Sequence, residues 1–302
     1  MKKINKKLVP PCSYQGGKQR LAKQIVDIIF EQNNINEDTK FYDLCCGSGA
    51  ITLELINQGI HPTNIMMVDK GEYGAFWSSV ANDEFDLKVF KKEIDKLPSV
   101  ENIQKYLQEL SNKDVDKGLL EYHYLLLQSG SFGSKQIWTE NNRWKNNSFR
   151  SYWLPTETSS RRSPVNPMMP MPNTLYKRVK DIVDYLGGSV NAVCADISKI
   201  EWHFDENSIV YIDPPYKNTV GYGNNFDYEK FIINNRCANM YVSEGYKINS
   251  SDDAILLSKG RTKGNISGNA KKKPIEEWLN IYKSSCIMDY LADLIDKYNK
   301  GE

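Results

Sequence analysis

Four consecutive residues, Asp213-Pro214-Pro215-Tyr216, directly follow the apolar run Ile209-Val210-Tyr211-Ile212. Their types suit the activation of an exocyclic amine. Such an amine is a weak nucleophile because its lone pair is delocalised into the ring. A carboxylate oxygen and a backbone carbonyl, each accepting one N–H, favour a pyramidal nitrogen whose lone pair can point at an electrophilic methyl group. Pro214 lacks an N–H and has a fixed φ, so it stiffens the loop and restricts the residue before it. Tyr216 offers a ring on which an extruded base can stack, worth ~1–3 kcal/mol by comparison with single-strand binders. At the carboxyl end of a strand, the tetrapeptide occupies the place where open α/β sheets build their sites.

A second group, Phe41-Tyr42-Asp43-Leu44-Cys45-Cys46-Gly47-Ser48-Gly49-Ala50, reads as a strand, a glycine turn and a helix start. Glycines at such a turn let the backbone approach a ligand closely. Asp69 ends the next apolar run, 22 residues after Gly47, and is placed to accept from a pair of ribose hydroxyls. A nicotinamide cofactor would suit this spacing as well, but position 52, where its fingerprint has a third glycine, is Thr52. A third group, Tyr14-Gln15-Gly16-Gly17-Lys18, could touch phosphate, although it lacks the frame of a P-loop.

The elements that must position these groups alternate in the α/β manner. Strands are expected at Phe41–Cys45, Ile65–Val68, Ala192–Ala195, Ile209–Ile212 and Met240–Ser243, with Ala254–Leu257 and Trp278–Tyr282 as further candidates. Helical patterns follow the first two strands, and Met288–Tyr298 reads as an amphipathic closing helix. Residues 86–127 are helical and charged in pattern. Residues 128–175 then turn rich in Ser, Asn, Pro, Arg and Trp without regular periodicity. Trp138, Trp144, Phe149 and Trp153 in that stretch argue against plain disorder. The expected organisation is a catalytic domain of residues 1–85 and 176–302, interrupted by a lobe of residues 86–175.

The chain has 302 residues, 40% of them hydrophobic, which suffices for a sizeable core. No apolar run approaches the ~20 residues of a membrane span, and the lysine-rich start lacks the apolar core of a signal peptide, so a cytoplasmic location is expected. Six cysteines with no C-x-x-C pair and only three histidines predict reduced, buried thiols and no metal. Net charge is only +1, but its distribution is uneven. Residues 1–23 carry seven Lys/Arg and no acid, residues 134–181 carry nine basic residues against three acids, and residues 259–273 carry six basic residues and no acid. Three such blocks in one near-neutral chain point to a polyanionic partner. Candidate contacts to it are Lys135, Trp138, Arg143, Trp144, Lys145, Arg150, Arg161 and Arg162.

Taken in order, the N-terminal aromatic-x-Gly-Gly-Lys motif, the glycine motif, a long insert and then D-P-P-Y resemble the Dam-like, D12-class N6-adenine DNA methyltransferases. The resemblance covers most of the chain and includes Ala195-Asp196, 17 residues before Asp213. It implies a Rossmann-like S-adenosylmethionine-dependent methyltransferase sheet carrying a mainly helical target-recognition lobe. It also implies a cofactor site lined by Tyr14, Gly17, Lys18, Asp43, Cys45, Gly47, Ser48, Gly49, Asp69, Asp196 and Asp213. Asp213, Pro214, Pro215 and Tyr216 would hold an adenine flipped out of double-stranded DNA, beside a loop containing Tyr222. The family has Glu-Pro-Phe where this chain has Asp43-Leu44-Cys45, and Trp where it has Tyr14. The insert lacks the Asn-Arg and Asn-Gly-Leu-x-Arg signatures of GATC readers, carrying Leu127–Lys135 instead. The resemblance therefore carries to adenine methylation and stops short of GATC recognition. Cytosine N4, RNA adenine and a protein amide remain alternative acceptors for the same amine chemistry, and an inactive DNA-binding homologue is a further alternative. The chain shows no nuclease domain, so a restriction endonuclease would be a separate partner.

Overall fold

A computed structural model describes residues 6–13, 15–98, 102–150, 170–214, 227–235, 237–260 and 275–284. The expected helix at Met288–Tyr298 lies outside them. All seven expected strands form, each within a few residues of the expected ends, and the fold is α/β and Rossmann-like. The chain divides into two compact units, one of residues 1–22 and 46–195, the other of residues 23–45 and 196–302.

The second unit is built on β1 (Lys40–Leu44), β6 (Ser208–Ile212), β7 (Asn239–Glu244), β8 (Asp253–Gly260) and β9 (Ile275–Tyr282). β1 and β6 run parallel with Phe41 beside Ile209 and Leu44 beside Ile212, and β7 continues the parallel ladder on the other side of β6. β9 lies antiparallel to both β7 and β8. Every residue of β6 is buried, as a strand covered on both faces requires, which is why it reads as an unbroken apolar run. Helix α1 (Ala22–Gln32) buries Ile25, Val26 and Ile29, a one-sided stripe at helical spacing. Short helix α8 (Tyr228–Asn234) buries Tyr228, Phe231 and Ile232.

The first unit holds β2 (Ile65–Asp69) parallel to β5 (Asn191–Cys194), with Asp69 beside Cys194. Around this pair stand α2 (Ala50–Asn57), α3 (Glu72–Ala81), α4 (Leu87–Asp95), α5 (Ile103–Ser111), α6 (Leu120–Gly130) and α7 (Pro172–Leu186). Phe76, Phe85, Phe90 and Tyr122 form an aromatic core of edge-on and tilted ring pairs, with ring centroids 4.8 to 6.3 Å apart. The helices expected within residues 86–127 are α4, α5 and the start of α6. The stretch expected to be irregular contains a small hairpin instead, β3 (Trp138–Glu140) and β4 (Arg143–Lys145). Its two-residue tip, Asn141-Asn142, takes φ of 50° and 60°, the paired left-handed geometry that matches strand twist and that asparagine tolerates.

Residues 6–13 lie as a strap within this unit. Asn57 grips Leu8 from both sides: its Oδ1 accepts from Leu8 N at 2.8 Å and its Nδ2 donates to Leu8 O at 2.9 Å. Lys7 pairs with Glu54, and Arg178 donates to Pro11 O. Among the described residues no helix is long and apolar enough to cross a membrane. Cys12 and Cys46 are buried as expected, whereas Cys194 and Cys237 are exposed. The expectation of uniformly buried thiols fails there because Cys194 ends β5 and Cys237 lies in the connection between α8 and β7, neither within a packed face.

Candidate active site

In the first unit the glycine motif forms a turn braced from two directions. Cys46 N donates to Val68 O at 3.0 Å, and Gly47 N donates to the Asp69 carboxylate at 3.0 Å. Trp77 of α3 donates its indole N–H to Gly47 O at 2.8 Å. Its ring also fills the space beside Gly49, where an added Cβ would come within 2.3 Å of Trp77 Cζ2. Gly49 has φ 73°, caps α2 and brings no side chain to the helix's first N–H groups. Two separate demands, a left-handed backbone and a close aromatic, therefore select glycine here. Trp77 is a neighbour of the glycine turn that the sequence did not single out, because its place in a helix reads as core.

Asp69 is fixed by backbone donors. Its Oδ1 accepts from Gly71 N at 2.7 Å and its Oδ2 from Gly47 N, while its own carbonyl accepts from Ala195 N at 3.0 Å. Burial raises its pKa, and the two backbone N–H groups act against that rise. Gly74 lets α3 pass directly over this strand end, since a Cβ there would stand 2.0 Å from Asp69 O. Of the N-terminal motif, Lys18 is buried, donates to Gly16 O at 3.0 Å and starts the helical turn through its own carbonyl. Gly17 is half-buried, and Tyr14 lies outside the described residues. The side-chain oxygen of Gln19 is buried with no hydrogen-bond partner among the described residues.

In the second unit, Asp43 and Asp213 come to the carboxyl ends of adjacent parallel strands. Asp213 N donates to Leu44 O at 3.2 Å, extending the β1–β6 ladder by one step and fixing where the acidic residue begins its loop. Asp213 is half-buried, Pro214 is buried and Asp43 is almost fully buried. Tyr211, opposite Asp43 in the β1–β6 register, has its phenol pushed well above the ordinary range by burial first, then by the nearby carboxylates of Asp213 and Asp43. Cys45, which follows β1, takes φ 62°, a conformation uncommon for a residue other than glycine and typical of strained functional turns. Asp196 spends Oδ1 on Ser198 N and Oγ, at 3.1 and 2.7 Å, capping the short turn after β5. Pro215, Tyr216 and Tyr222 lie outside the described residues.

Of the expected nucleic-acid contacts, Lys135 is exposed and Trp138 and Arg150 are half-buried. Arg143 is held at 2.8 Å by Asp114 and donates to Asn112 O, and Lys145 pairs with Glu140 at 3.3 Å. Trp144 is a correction: it is only 5% exposed. The two-residue alternation of β4 turns its indole inward, where it packs as core rather than standing out for contact. Arg161 and Arg162 lie outside the described residues.

No family model and no curated protein matches the chain. Among solved structures, the "Crystal structure of SMU.472, a putative methyltransferase complexed with SAH" aligns with 91% of this chain and 55% of its own length, at 9% identity and a TM-score of 0.32. The chain thus spans little more than half of that protein.

Proposed function

We propose that the protein is an S-adenosylmethionine-dependent methyltransferase that acts on the N6 amino group of adenine in double-stranded DNA. The observation that carries the reading is the position of Asp213-Pro214 at the carboxyl end of β6, tied by Asp213 N to the end of β1. That is where an amine-activating carboxylate and carbonyl would have to be held.

The residues present fit the cofactor. Asp69 is oriented by two N–H groups and keeps acceptor capacity on both oxygens for a ribose diol. The glycine turn holds Gly47 and Gly49 in left-handed backbone, φ 48° and 73°, which glycine adopts readily, and the Gln19 oxygen, buried with no hydrogen-bond partner among the described residues, is an acceptor suited to an N–H or O–H of a bound group. Bound there, the sulfonium would supply an electrophilic methyl group. Asp213 and the Pro214 carbonyl accept the two N–H bonds of the amine and free its lone pair. Tyr216 stacks the extruded base, offsetting an unstacking cost of a few kcal/mol. Catalysis then rests on positioning and fixed dipoles. No cysteine nucleophile is required, because the amine attacks directly.

The test is incubation of the purified protein with unmethylated genomic DNA and S-adenosylmethionine, followed by single-molecule mapping of modified bases. The expected result is N6-methyladenine within one short motif, abolished by Asp213→Ala, with cofactor affinity by calorimetry changed less than threefold. N4-methylcytosine in the DNA, or transfer only to RNA or protein, would replace the acceptor. A fully active Asp213→Ala variant would remove Asp213 from the mechanism.

A further inference from the structure

Glu72 is the first residue of α3 and lies three positions after Asp69. An acid in the first turn of a helix ordinarily stays in solvent and favours the helix dipole. Glu72 does otherwise. It is only 7% exposed, and its Oε1 accepts two hydrogen bonds from one residue of the β3–β4 hairpin, from Thr139 N at 2.6 Å and Thr139 Oγ1 at 2.7 Å. Thr139 is the middle residue of β3, opposite the buried Trp144. The hairpin has strands of three residues each, too little to hold a position by itself. Other anchors among the described residues include Asp114 with Arg143, Arg143 with Asn112 O and Val115 N with Asn142 O at the other edge, and Gln128, whose Oε1 accepts from Ile137 N just before β3 at 2.9 Å.

We propose that Glu72 is a positioning residue that sets where the β3–β4 hairpin meets DNA. The inference rests on the DNA-methyltransferase reading of the protein. Residues 69–72 thereby serve two purposes at once. Asp69 is locked by Gly71 N and Gly47 N, and Glu72, the next residue after Gly71, holds the hairpin by its middle. The hairpin is flanked by exposed Lys135 and carries half-buried Trp138 and the exposed tip Asn141-Asn142. A shift of β3 would therefore move these groups together. Electrostatics support a positional role. Burial, with the Asp69 carboxylate adding, pushes the Glu72 carboxyl above its ordinary range, so this acid is kept at an unfavourable place for its charge.

The experiment compares Glu72→Ala, Glu72→Gln and Thr139→Val with the wild-type chain. Steady-state methylation of unmethylated genomic DNA gives KM and kcat, calorimetry gives S-adenosylmethionine affinity, and hydrogen exchange follows the Thr139 amide. Glu72→Ala is expected to raise the DNA KM at least tenfold, with kcat and cofactor affinity within twofold, and to speed exchange at Thr139. Glu72→Gln keeps an oxygen acceptor for both donors and should stay within threefold of wild type. Thr139→Val keeps the backbone donor and should fall between. An unchanged DNA KM in Glu72→Ala, or a cofactor affinity that falls in step with it, would overturn the proposal. Should Glu72→Ala not fold, Thr139→Val with a wild-type DNA KM overturns it equally. If the wild-type chain methylates no DNA at all, the functional reading has failed. Exchange at Thr139 would then show whether Glu72 anchors the hairpin regardless of substrate.

Discussion

At Asp69 two consequences of one buried carboxylate have opposite signs, and they can be separated. Burial raises its pKa in the folded chain, so folding the charged form costs free energy. That cost is absent below the unfolded value and is felt as pH rises through the folded one. Stability should therefore gain from protonation of this group. Cofactor affinity should lose by it, because a ribose diol donates two hydrogen bonds and a protonated carboxyl gives up part of its acceptor capacity. S-adenosylmethionine affinity, measured by calorimetry across acid to neutral pH, is expected to begin falling at a pH above the ordinary aspartate value of 3.8. Asp69→Asn should bind more weakly at neutral pH and show a flat profile. A wild-type profile as flat as that of Asp69→Asn would remove Asp69 from the ribose site. This residue was legible in the sequence because the end of a strand and a fixed distance from a glycine turn locate it. Glu72 was not, because nothing in Gly71-Glu72-Tyr73 reveals that its side chain leaves its own helix for Thr139.

Among the elements, the strap of residues 6–13 leads directly into the Tyr14–Lys18 motif and is tied to α2 by the paired hydrogen bonds between Asn57 and Leu8. Asn57→Ala removes both and leaves two backbone groups of a buried residue to find water, a loss of ~1–3 kcal/mol. Hydrogen exchange over residues 8–13 is expected to accelerate well beyond that of α6, and cofactor affinity to fall by less than it does in Asp69→Asn. Unchanged exchange in the strap would show that Lys7–Glu54 and the Arg178 contact hold it without Asn57. The strands were readable where burial on both faces makes them continuous apolar runs, as at Ile209–Ile212. The β3–β4 hairpin was missed for the opposite reason: three residues cannot show an alternating pattern. Its one local signal was Asn141-Asn142, a pair suited to positive φ at both turn positions. Helix α7 begins at Pro172, where a proline-rich stretch conceals the one proline placed as a first helical residue.

Across the whole molecule, charge distribution carries the case for a nucleic-acid partner that net charge does not. A chain at +1 has no strong overall attraction for a polyanion, so on the proposed reading affinity comes from local clusters making phosphate contacts. Those clusters are not equally available. Lys6 is engaged by Asp181, Lys7 by Glu54 and Arg143 by Asp114, and each such pair lessens what its cation can offer to phosphate. Exposed Lys135 stands outside these pairs, beside the hairpin. Counterion release makes the consequence measurable: log affinity falls linearly with log salt, with a slope near −0.9 per phosphate neutralised. Lys135→Ala is expected to weaken binding to duplexes of any sequence alike and to reduce the salt slope by about 1. The modified motif itself should remain the same, since a phosphate contact carries no base information. A variant whose slope matches wild type while its modified motif broadens would instead place Lys135 on a base edge. It would then be a source of specificity, and the insert's departure from the GATC signatures would be read at that residue.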